Sequence, residues 1–186
     1  MADNAMAVLA RSRSALLSLL ASAAIFGLGA ALGYSALSSA KFEPRTVSPE
    51  NSFGQAFLEI LGRNLPSGML LYAGSVSFGV VSLIGITMLS AYVGATLAVV
   101  VSNSEWSGFV TETGLYVGFE FLGFILAGAA GLYPAASAAL RGRRWKEAGI
   151  LRLYVNSMAD SLRIFLVAVS IIVGAAFIEA TVMAAR

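Results

Sequence analysis

The stretch ETGLYVGFEFLGFILAGAAGLYPAASAAL, Glu112 to Leu140, decides the fold. Beyond Glu112 its one charge is Glu120. A run this long and apolar crosses a bilayer as a helix, because about 20 apolar residues span a hydrocarbon core of ~30 Å. A carboxylate at that depth costs roughly 2.5 kcal/mol or more unless it faces protein, water or a partner charge. Other parts of the chain must therefore meet Glu120.

The composition agrees with a membrane protein. Hydrophobic residues make up 58% of the 186 and charged residues 12%, about half the charged share of a soluble domain. Every charged cluster is short, so no soluble domain is expected and residues 1–186 read as one integral-membrane domain. The fold class is all-α: a polytopic helix bundle of about five spans with two interfacial amphipathic helices. There are no cysteines and no histidines. That removes thiolate metal sites, histidine-ligated haem, Ser-His dyads and zinc-protease motifs. No metal, cofactor or enzymatic activity is expected. Nucleic-acid binding has no support, since there is no basic domain.

Outward from the opening stretch, four further spans are expected. Ser14 to Ala40 is uncharged and follows Arg11 and Arg13. It is too long for a cleaved signal peptide and reads as a signal anchor, the first span, about 14–40. Gly29 and Gly33 form a GxxxG, and Gly27 with Ala31 a second small pair. Both favour close helix approach. After a link with Pro44 and Pro49, Phe53, Phe57, Ile60, Leu61 and Leu65 recur at helical spacing, an amphipathic helix expected on the outer interface. Pro66 suits the first turn of the next helix.

Asn64 to Ser104 carries no charge. About 40 residues make roughly 60 Å of helix, twice the core thickness, so the run must double back. The expected turn is Leu83–Thr87, at Gly85, giving spans of about 66–84 and 87–103; a re-entrant pair is the competing geometry. The fourth span is about 113–139, kinked at Pro134. Arg141, Arg143, Arg144 and Lys146 follow it. Glu147 to Arg163 is a second amphipathic stretch, expected at the inner interface. Its polar stripe is Arg152, Asn156, Asp160 and Arg163, with a local Asp160–Arg163 pair. It leads into a fifth span, about 162–183, which contains Glu179.

Lysines and arginines set orientation. Arg11, Arg13 and the cluster Arg141, Arg143, Arg144 and Lys146 place those ends in the cytoplasm. The chain is thus expected as a multi-pass cell-membrane protein with its N-terminus inside and C-terminus outside. Glu120 and Glu179 then share the outer half of the membrane, with Arg63 and Asn64 at a similar level as possible partners. Three uses of the acids remain open: hydrogen bonds that hold the bundle in register, a contact surface for another membrane subunit, or a proton or ion pathway.

Four places carry a resemblance to a known family. They are ILGRNLPSGMLLYAGSVSFGVVSLIGIT (Ile60–Thr87), the region of Tyr92 and Gly94, Glu120 followed by ILAGAAGL, and AAFIEATV (Ala175–Val182). From Leu61 onward the chain resembles the stage II sporulation protein M family. The resemblance implies that Glu120 and Glu179 are family positions. Where the family has Pro-His-Gly before the glutamate, this chain has Leu115, Tyr116 and Val117, so no role for that histidine carries over. The resemblance also implies a small polytopic protein acting in a membrane complex: a non-catalytic scaffold or assembly subunit. Its partners would be the lipid bilayer and other membrane proteins or a second copy. The alternative is a transporter or channel component that uses Glu120 and Glu179.

Overall fold

The computed structural model describes residues 2–38, 52–103, 114–140 and 150–185. Five helices account for nearly all of them: α1 Ala2–Leu37, α2 Phe53–Tyr72, α3 Val80–Asn103, α4 Gly114–Leu140 and α5 Ile150–Ala184. The all-α class follows from the solvent. Lipid offers backbone groups no hydrogen bonds, so each segment must satisfy its own. Four segments are long and apolar enough to cross a membrane: Arg11–Leu37, Val80–Ser102, Tyr116–Leu140 and Leu151–Ala184.

Successive helices run in opposite directions. α1 packs along α3 and α4, α4 along α5, and α2 against α5 and α4. One end of the bundle is marked by the Arg11–Asp160 ion pair at 3.3 Å and by the Tyr154 hydroxyl, which donates to the Ser75 carbonyl. The other end is marked by Phe53 and Phe57, whose rings lie 5.4 and 6.4 Å from Phe177. Between them sits a core of Phe26, Leu71, Ile86, Phe124, Ala127, Leu132, Ala168 and Ile172.

Small residues set the helix spacing, because helices in lipid associate by packing rather than by expelling water. A Cβ on Gly33 would run into the Ala91 carbonyl, and one on Gly94 into the Ala30 carbonyl. The Gly29–Gly33 motif is therefore used inside the molecule, where α1 meets α3. Gly27 and Ala31 stay exposed, and nothing lies within 4 Å of a Cβ at Gly27. Buried serines reinforce the contacts: Ser22 donates to the Ile125 carbonyl at 2.7 Å and Ser82 to the Leu71 carbonyl. Other hydroxyls bond back along their own helix, as Ser90 does to Thr87.

Several boundaries differ from expectation. The chain reverses at Ser77–Gly79, not at Leu83–Thr87. A 3-10 turn, Ala73–Val76, ends α2. Phe78 and Gly79 then take left-handed backbone angles, φ +52° and +88°. The Ser77 hydroxyl accepts from the Val81 N–H at 3.1 Å and starts α3. Gly85 is a close-packing residue instead, since a Cβ there would touch Leu71 at 3.0 Å. The amphipathic stretch from Phe53 and the second span are one helix, with Pro66 in its interior. Phe53 and Phe57 pack on Phe177 at one edge of that helix. The amphipathic stretch before the last span is likewise continuous with it in α5. α4 runs uninterrupted through the buried Pro134.

Candidate functional site: an apolar trough and a neighbouring acid-lined recess

α2 and α3 meet closely at their hairpin and then part. At the hairpin a Cβ on Gly74 would strike Ser82, and Gly85 faces Leu71. Further along, the two helices leave a trough of about 400 Å³ whose walls include Ser67, Leu70, Leu71, Ile84, Met88 and Tyr92. Its lining is almost wholly apolar. Tyr92 is also on the wall of a second recess of about 240 Å³, with Thr96, Tyr116, Phe121, Glu120 and Glu179. This recess lies between α3, α4 and α5, and Tyr92 is the residue that both spaces share.

Three helices position the acids. α4 presents Glu120, α5 presents Glu179, and α2 brings Asn64. The Asn64 amide Nδ2 donates to Glu120 Oε1. The two carboxyl groups adjoin closely enough to interact directly. Arg63 does not ion-pair with either acid. It pairs with Glu59 one turn away on α2, and its side chain is 75% exposed. Its field still reaches Glu179. The i,i+4 partner prevails because it is held in reach by the helix itself.

The recess has a closed floor. Phe26 meets Phe121 in a tilted pair with ring centroids 5.4 Å apart, and Phe124, Ile86 and Ile172 belong to the buried core they join. No ionisable group other than tyrosine occurs in 14–40, 64–104, 121–140 or 164–178. The next charges are Asp160, Arg163 and Arg11 at the opposite end. Asp160 pairs with Arg163 at 3.6 Å, as the stripe implied, and also with Arg11. The Arg11 contact was not anticipated; a half-buried aspartate on a helix face was the signal that a second helix supplies a cation. The basic residues Arg141, Arg143, Arg144 and Lys146 lie outside the described residues. The acids, an amide and two phenols can share protons, donate hydrogen bonds and bind a cation.

The family model described as stage II sporulation protein M matches residues 22–183. The match takes in all three helices that supply the acid cluster, and it reaches back to Ser22 in α1, well before Leu61. No curated protein and no solved structure matches the chain.

Proposed function

Because the chain belongs to the stage II sporulation protein M family, we propose that it is a non-catalytic assembly subunit of a membrane complex rather than a conduit. The observation that carries this reading is the closed floor beneath Glu120 and Glu179. Transport through the bundle needs polar groups in sequence from one face to the other. Here an aromatic and aliphatic layer separates the acids from Asp160, and that layer includes Ile86 and Ile172, both with no exposed surface. A blind recess suits recognition.

In this reading α2 crosses the membrane as the fifth span. Its 20 residues are about 30 Å long, and it packs on two spanning helices. Arg11, Arg13 and the end of α4 at Leu140 then share one end of the bundle, which supports a cytoplasmic N-terminus. The reading predicts that the protein, extracted from native membranes in mild detergent, brings partner membrane proteins with it. Isolation as a lone chain that passes protons or cations across vesicles, with the flux lost in Glu120→Gln or Glu179→Gln, overturns it. That result would establish the transport reading, whose support is the opening of both acids onto a cavity.

A further inference from the structure

The cleft between α2 and α3 has the pattern of a lipid site, and we propose that it holds one phospholipid with an amine-bearing head. The proposal does not depend on the assembly reading. It rests on the shape of the cleft, its charge pattern and its depth.

The trough of about 400 Å³ lies in the usual size range of small-molecule pockets, roughly 300–1,000 Å³. Its walls follow α3 from Val81 to Tyr92, about 16 Å of helix, so its volume leaves an average cross-section of only about 25 Å². An acyl chain fits such a space. A helix, about 10 Å across, does not. Leu70, Ile84 and Met88 on its walls are more than half exposed, so the trough opens on the flank of the bundle and a chain can enter from the surrounding hydrocarbon.

Past Tyr92, which walls both spaces, the lining changes character. Glu120 and Glu179 lie in the adjoining recess, and neither is ion-paired within 4 Å to a cation among the described residues. Arg63 precedes Asn64, which bonds Glu120, its charge acts on Glu179, and it lies one turn along α2 from Ser67 on the trough wall. Its guanidinium has five donors, so the pair with Glu59 leaves capacity for an anion. The recess thus offers carboxyls and the rim a guanidinium. A zwitterionic head carries the complementary pair: ammonium toward Glu120 and Glu179, phosphate toward Arg63. An anionic glycerol head has no group for the two acids and meets them with like charge. Glu120 lies six residues into α4, about 9 Å along it. At that depth an ammonium can fold back from the head-group layer.

Native mass spectrometry of the whole chain tests this, after reconstitution in bilayers of equal phosphatidylethanolamine and phosphatidylglycerol. The expected result is one retained phosphatidylethanolamine per chain, in preference to phosphatidylglycerol by about tenfold, the order expected for charge-assisted hydrogen bonds. Glu120→Gln with Glu179→Gln should erase the preference. Met88→Trp fills the trough from a residue that is 70% exposed, and should abolish retention of either lipid while leaving the helical circular dichroism unchanged. Arg63→Gln, also at an exposed site, should weaken retention without removing it. Equal retention of the two lipids by the native chain overturns the proposal. So does a preference that survives Met88→Trp, or a partner protein found in the cleft in place of lipid.

Discussion

Glu120 accepts a hydrogen bond from the Asn64 amide of another helix. That makes Asn64 the residue whose loss Glu120 should feel most. Asn64→Leu removes the donor and leaves a half-buried carboxyl without it, at an expected cost of about 1–3 kcal/mol. Asn64→Leu combined with Glu120→Leu removes both ends and should lose less than the sum of the two single losses, because two apolar groups of similar shape need no partner. Reversible unfolding in detergent, run as a double-mutant cycle, measures the coupling; strictly additive losses would show that the contact does not join α2 to α4. Glu120, Glu179 and Asn64 were legible in the sequence because a charge or amide inside an uncharged run has few places to go. The role of Arg63 was less so. Level alone put it near the acids, but Glu59 is one turn away and the helix geometry holds it there.

At the scale of helix pairs, α1 and α3 meet through glycines at which a Cβ would strike backbone. This separates two small-residue pairs that look alike in sequence. Gly33→Val should push α1 off Ala91, whose carbonyl cannot move aside, and cost about 1–3 kcal/mol or more, as overpacking does. Gly27→Val faces open space and should change the unfolding midpoint little. Equal loss in both variants would mean that Gly27 also faces a helix, and so a second copy. The same comparison explains why the turn was misplaced. Gly85 lies near the middle of the uncharged run, and is the expected reversal point only where both spans lie within that run. α2 instead begins at Phe53, among charged residues, and so reaches its end earlier. The left-handed pair Phe78 and Gly79 then turns the chain. Hydropathy fixes how many residues must fold back, while the turn is set by a Cβ-free backbone and a serine cap, which hydropathy does not register.

For the molecule as a whole, the number of crossings depends on α2. Its first half carries Glu59, Arg63 and Asn64, so it falls short of a spanning helix by composition. Yet it packs lengthwise against α4 and α5, and Phe53 and Phe57 at its start meet Phe177 near the end of α5. A helix lying flat on the membrane surface would not keep contact with α5 from Phe177, beside Phe53, down to Phe165, whose ring stacks on Tyr72 with centroids 4.2 Å apart. With α2 upright, the crossings are odd in number and the two ends of the chain lie on opposite faces. The chain has no cysteine, so single cysteines report position without background. Asn4→Cys should react with a membrane-impermeant maleimide only after the cells are opened, and Ala185→Cys should react in intact cells. Labelling of both from one side would mean an even number of crossings. It would also remove the cleft's outward opening, since the acids, Arg63 and the start of α2 all lie at the end of the bundle that this orientation turns outward.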